Sequence, residues 1–181
     1  TMLIKREQSL LLVVDIQEKL APAIFEGEAA VANSVRLLTG ARQLNIPRFV
    51  SEQYVRGLGA SVEAIRNAAL DARFFEKLHF SCAGEPGVVD MLRSTGRQQV
   101  VLTGMEAHVC VLQTALGLRE AGFPVFLVAD ATSSRSPENR SAAVERMRAC
   151  GVQIVTTEMV LFEWLQKAGT DEFRAMLPLI K

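Results

Sequence analysis

Cysteine is scarce in this chain: three in 181 residues, at positions 82, 110 and 150. An odd number at wide spacing, with no Cys-x-x-Cys pair, excludes a disulfide framework. It suits a reducing compartment, so a cytoplasmic location is expected. Histidine is scarcer still, and His79 and His108 do not form a chelating pair at metal-ligand spacing. Net charge is absent, because twenty Lys and Arg balance twenty Asp and Glu. With no basic block or stripe, no nucleic-acid partner is expected. The neutral balance also does little to oppose self-association. No apolar run approaches the roughly 18 residues that span a bilayer, so no membrane partner is expected. The polar segment Thr1 to Gln8 is too short for a signal peptide. Internal repeats, low-complexity tracts and composition breaks are also missing. The chain is therefore read as a single domain over residues 1–181, large enough to bury about two-thirds of its unfolded surface.

What is present is a soluble globular composition, 49% hydrophobic and 22% charged. Short apolar runs alternate with helical patterns. The strand-like runs are Ser9–Val14, Ile46–Val50, Phe74–Phe80, Val100–Leu102, Val125–Val128 and Val152–Val155. Helical spacing appears over Ala29–Leu44, weakly over Ser61–Leu70, and over Val88–Leu92, Val111–Ala121, Pro137–Cys150, Val160–Lys167 and Glu172–Met176. Unpatterned apolar strands separated by helices imply a parallel sheet covered on both faces. The expected fold is a three-layer α/β/α sandwich with six parallel strands in the order 3-2-1-4-5-6. Such sheets bind ligands beyond the carboxyl ends of their strands, at the point where the order reverses. The least regular segment, Ser51–Ala60 with Gly57 and Gly59, is a candidate loop over that site.

Three residues stand where chemistry is expected. Cys110 follows the fourth strand through a tight Thr103–Ala107 connection and opens a helix. A helix N-terminus favours a thiolate and offers N–H groups to an oxyanion. The competing reading is a small core residue. Asp15 directly follows five apolar residues, which puts it at the sheet's carboxyl edge. It is either a proton acceptor for a thiol or a solvated strand-end acid that caps the next turn of chain. Lys77 lies inside the third strand run. There it is a charged gatekeeper on an edge strand, or a fixed cation that stabilises both a carboxylate and a thiolate. The expected order sets Asp15 and Cys110 on neighbouring strands. Lys77 would sit two strand spacings away, roughly 10 Å.

The segments LLLVVDIQ, FFEKLHFS and VVLTGMEAHVCV, in this order and spacing, resemble the isochorismatase-like cysteine hydrolase family. The likeness runs from about Leu10 to about Leu165, and EQYVRGLG and DATSSRS are most similar to its isochorismatase-domain-containing branch. The resemblance implies a catalytic triad of Asp15, Lys77 and Cys110 in a metal-independent amidohydrolase, with no cofactor. Cys110 would be the nucleophile, Asp15 the base and later the acid, and Lys77 the cation that holds the carboxylate. A thioester intermediate would form on loss of the amine. The family's cis peptide would fall between Met105 and Glu106, so that the Glu106 and Cys110 backbone N–H groups form the oxyanion hole.

Departures from related patterns narrow this. Nicotinamidases of the fold carry an Asp-x-His metal pair where this chain has Ser51-Glu52-Gln53, so a zinc or iron site is expected to be absent. True isochorismatases lack the cysteine. Gln53, Tyr54, Phe80 and His108 are candidate substrate-pocket residues, while Gln17 is expected to brace the loop after Asp15. His79 is expected to be packed or partly solvated. Ser133 to Ser136 bind an anion or cap the helix that begins at Pro137. Cys82 and Cys150 read as ordinary thiols. The expected partners are a small-molecule substrate and further copies of the chain, as a dimer or larger homo-oligomer. The expected activity is hydrolysis of a small amide or related C–N bond. The alternatives are an ester or carbamate hydrolase on the same site, or a non-catalytic interaction protein with a remnant site.

Overall fold

The structure, a computed structural model, describes residues 2–181. Six parallel strands form one sheet: β1 (Ser9–Val14), β2 (Arg48–Gln53), β3 (Arg73–Lys77), β4 (Gln99–Met105), β5 (Val125–Ser133) and β6 (Gln153–Val155). Their order is β3-β2-β1-β4-β5-β6, as expected. The order reverses between β1 and β4, whose register pairs Val14 with Gly104 at the carboxyl edge.

Side-chain alternation along β1 builds both cores. Leu11 and Val13 face one layer with Leu37, Leu38, Trp164 and Met176. Leu10, Leu12 and Val14 face the other, with Leu92, Val111, Leu118 and Met147. Every residue of β1 is buried, which explains why its sequence shows no polar alternation. The first layer contains α1 (Gly27–Gln43), α3 (Glu63–Ala68), α7 (Thr157–Leu165) and α8 (Asp171–Ile180). The second contains α4 (Val88–Arg93), α5 (Leu112–Glu120) and α6 (Pro137–Ala149). Burying each of these Leu or Val side chains contributes roughly 1.5–3 kcal/mol. Ser136 caps α6 by accepting from the Asn139 N–H at 3.1 Å, with Pro137 in the first turn, so the capping reading of that segment holds. No helix among the described residues is long and apolar enough to cross a membrane.

Several boundaries differ from the sequence reading, among them β3, which closes at Lys77 rather than Phe80. The Ser51–Ala60 segment is more regular than expected: β2 runs on to Gln53, and a short helix, α2 (Val55–Leu58), comes next. The Thr103–Ala107 connection is not a turn either. β4 continues to Met105, β5 continues to Ser133, and a π-helical turn, Ala107–Val111, comes almost directly after β4. Thr103-Gly104 looks like a turn signal, but here the glycine serves a close approach. Its φ is +129°, and a Cβ on it would stand 2.1 Å from the Val14 carbonyl oxygen. The β4–β5 register shifts beside it, between Leu102 and Gly104. Gly104 thereby lets β4 lie against β1 while carrying the chain on toward Cys110.

Gly104→Ala is therefore expected to destabilise the protein by about 3 kcal/mol or more, through both backbone strain and the clash with Val14. Urea unfolding followed by circular dichroism measures this; a change of less than about 1 kcal/mol would contradict it.

Candidate active site

At the carboxyl edge, β1, β2 and β3 each deliver one part of a buried polar cluster. Asp15 leaves β1 in a left-handed conformation, φ +53°, which an aspartate tolerates better than most residues. Its backbone N–H donates to the Ser51 carbonyl at 3.1 Å. Lys77 closes β3 opposite Gln53 of β2. The expected gap of two strand spacings is crossed by the lysine side chain, which reaches over β2 so that Nζ lies 2.9 Å from Asp15 Oδ2. Both side chains are at most 1% exposed, so the edge-gatekeeper reading of Lys77 fails.

The ammonium is enclosed by oxygen. Besides Asp15, it donates toward Gln53 Oε1 at 2.5 Å, the Phe80 carbonyl at 2.8 Å and the His79 carbonyl at 3.1 Å. Four acceptors around three N–H groups hold it charged. Burial alone would lower its pKa, but the charge of Asp15, with the charge Cys82 and Cys110 acquire on ionising, outweighs this, and the net shift is upward. On the other side of the carboxylate, Ser51 Oγ lies 2.7 Å from Asp15 Oδ1. Gln17 braces the next layer, as expected, bonding the Gln53 backbone N–H at 2.7 Å and the Gln53 and Gly59 carbonyls.

Cys110 comes to this cluster from the π-helical turn after β4. Local widening of a helix to the π form recurs at functional sites. There the thiol lies close enough to the Asp15 carboxylate to feel its negative charge. Burial, and then the negative charge of Asp15, push the Cys110 thiol strongly upward, with Lys77 opposing. This corrects the expectation of a resting thiolate. A helix N-terminus favours the thiolate, but at this position desolvation and the adjacent carboxylate outweigh it. The resting group is a neutral thiol next to a proton acceptor.

Cys82 is a second correction. It does not stand apart as an ordinary thiol but lies buried in the same cluster, with its N–H donating to Thr114 Oγ1 at 2.8 Å. Burial first, then Asp15, push it up to about 11. Chain separation concealed it, since no local pattern links Cys82 to Asp15 or Ser51. Cys150 is exposed.

A cleft of about 440 Å³ opens above Cys110. Leu20, Ala23, Leu58, Phe80 and Val109 form its apolar wall, while Gln53, Glu106 and Cys110 supply polar lining. Lys19 and Arg135 stand at it as cations. Arg135 grips Glu106, with Nε 3.1 Å from both carboxylate oxygens and the backbone N–H 3.0 Å from Oε2. The peptide bond between Met105 and Glu106 is cis. Of the candidate pocket residues, Gln53 and Phe80 are on the wall. Tyr54 and His108 are not: Tyr54 is half exposed at the start of α2, and His108 Nδ1 bonds Ser134 Oγ at 2.9 Å. Their chain positions are close to the site, but their side chains are directed elsewhere. His79 is solvated and bonds Glu85 at 2.6 Å. No group of three or more His, Cys, Asp or Glu with metal-binding geometry occurs among the described residues.

Comparison with known proteins agrees with this architecture. The family model described as "Isochorismatase domain" matches residues 9–159. Isochorismatase domain-containing protein 2 of Danio rerio is 42% identical over 173 residues, covering 95% of this chain and 86% of that protein. A Caenorhabditis elegans structure named MAR1 ribonuclease superposes with a TM-score of 0.93 at 37% identity, covering 99% of this chain and 92% of that one. YcaC from Pseudomonas aeruginosa, solved with hexane-2,5-diol and covalent acrylamide, gives a TM-score of 0.90 at 26% identity, covering 97% and 90%.

The buried groups set a pH dependence of stability. Lys77, Cys82 and Cys110 all have folded pKa values raised above their unfolded ones. Each therefore contributes fully below its unfolded pKa, and the contribution is lost as pH rises through the folded value. The unfolding free energy is expected to decline from about pH 8.5, where unfolded thiols ionise, and further above about 10.4. Urea titrations between pH 7 and 11 measure it. Stability that rises over that range would contradict the arrangement.

Proposed function

The chain belongs to the isochorismatase family, whose fold is that of a hydrolase, and from that premise we propose a metal-independent cysteine hydrolase acting on a small amide or related C–N bond. The observation that carries this reading is the fully buried Lys77–Asp15 ion pair beside Cys110, whose thiol lines the cleft. Asp15 takes the Cys110 proton as sulfur attacks the carbonyl carbon. The oxyanion is met by the Glu106 and Cys110 backbone N–H groups. The tetrahedral adduct then collapses, the C–N bond breaks, and Asp15 returns the proton to the departing amine. Water, deprotonated by Asp15, attacks the thioester; the acid leaves and the proton returns to sulfur. Lys77 stays charged throughout and holds the Asp15 carboxylate in place between transfers.

The cleft supports a small substrate, because its wall is mostly apolar and its volume is about 440 Å³. The covalent acrylamide in the YcaC structure supports a reactive site in a relative of the same fold. The C. elegans relative's name raises RNA cleavage as a second reading. For this chain it has less support, since the two cations at the cleft include Arg135, which is already committed to Glu106. Three unpaired cysteines suit a cytosolic setting.

Cys110→Ala is expected to lower turnover of a small activated anilide by at least about 1,000-fold while leaving the fold intact. Parallel assays on the anilide, its ester analogue and a single-stranded RNA separate the reactions. Full activity of the variant on any of them would overturn the nucleophile assignment. Cleavage of RNA alone would replace the amide reading.

A further inference from the structure

Ser51 takes no part in the proposed proton transfers, yet it is wholly buried against the proposed base. Its Oγ lies 2.7 Å from Asp15 Oδ1, while Lys77 Nζ holds Oδ2 from the opposite side at 2.9 Å. An ionised carboxylate only accepts, so the serine hydroxyl spends its single proton on Oδ1. The backbone fixes this contact. Val14 and Ser51 are in register, and the Asp15 N–H donates to the Ser51 carbonyl, so the hydroxyl is set by strand pairing rather than by a mobile loop.

The hydroxyl oxygen has a neighbour of its own. The buried Cys82 thiol lies near the Ser51 hydroxyl and is neutral at physiological pH. The charged and titratable groups facing Asp15 are Lys77 from β3, Cys110 from the π-helical turn and Cys82 from the turn after β3. Among them Ser51 is the uncharged donor. It stops rotation of the carboxylate without adding a second cation.

We propose that Ser51 is a positioning residue for the reaction, orienting Asp15 toward the Cys110 thiol through the hydrogen bond to Oδ1. This rests on the reading of Asp15 as the base that deprotonates Cys110.

The test needs no substrate. The second-order rate of Cys110 alkylation by iodoacetamide is measured between pH 4.5 and 9 by peptide mass spectrometry, in the wild type and in Ser51→Ala, Ser51→Thr, Ser51→Cys and Asp15→Asn. A donor lost from a charged acceptor is worth about one pH unit. Ser51→Ala is therefore expected to move the acidic limb of the profile upward by about one unit. It should react about tenfold more slowly at the foot of that limb and within about twofold of wild type at pH 8.5. Ser51→Thr keeps the hydroxyl and should restore the wild-type profile. Ser51→Cys, a weaker donor that also serves if the alanine variant fails to fold, should shift it partway. An acidic limb unmoved in Ser51→Ala or Ser51→Cys, with alkylation strongly reduced in Asp15→Asn, would overturn the proposal while leaving Asp15 as the base. Unchanged alkylation in Asp15→Asn would instead overturn the reading on which it rests.

Discussion

The buried ion pair between Asp15 and Lys77 is the constraint on which the rest of the site depends. Two charges taken out of water are costly, and the pair is tolerated only when its geometry is good and its remaining donors and acceptors are satisfied. Here both conditions hold. The lysine is surrounded by Gln53 and two carbonyls, the carboxylate is completed by Ser51, and no buried side-chain nitrogen or oxygen among the described residues lacks a partner. Removing either partner would strand the other, at a cost of about 3–5 kcal/mol. The strand order makes the pair possible. β2 lies between β1 and β3, and its Ser51 and Gln53 form the polar floor over which Lys77 reaches Asp15.

The arrangement separates storage of charge from exposure to substrate. Asp15 and Lys77 are buried, and of the three the thiol lines the cleft, with Asp15 next behind it. In that dry setting the thiol stays neutral, because a thiolate beside a carboxylate in an apolar surrounding is unfavourable. Activation therefore belongs to the moment of attack, when the proton passes to the neighbouring base. Gly104 and the π-helical turn after it bring the thiol to this base; the Glu106–Arg135 pair holds the adjoining wall.

Much of the frame was legible in the sequence, for reasons that are local. Apolar runs such as Leu10–Val14 carry their strand character wherever they sit, and their alternation with helices implies the parallel sheet. Asp15 was legible because a charge directly after such a run has few other places to go. Lys77 was legible only through family resemblance, since nothing near it in the chain reveals that it bridges over β2. Ser51 and Cys82 were missed for the same reason. Ser51 meets Asp15 across 36 positions of chain, and Cys82 meets Thr114 across 32. The resting state of Cys110 was misjudged because helix position can be seen in sequence, whereas desolvation depends on the completed fold. Tyr54 and His108 illustrate the converse: closeness in the chain did not bring their side chains to the cleft.

The central claim is that Cys110 forms the covalent intermediate and that Asp15 drives its formation. Rapid-quench mass spectrometry with an activated acyl anilide addresses it directly. The account predicts an acyl mass on the peptide carrying Cys110 within the first turnover, absent in Cys110→Ser and strongly diminished in Asp15→Asn. Steady turnover of the anilide with no acyl group on Cys110, or with the acyl group on another residue, would contradict it.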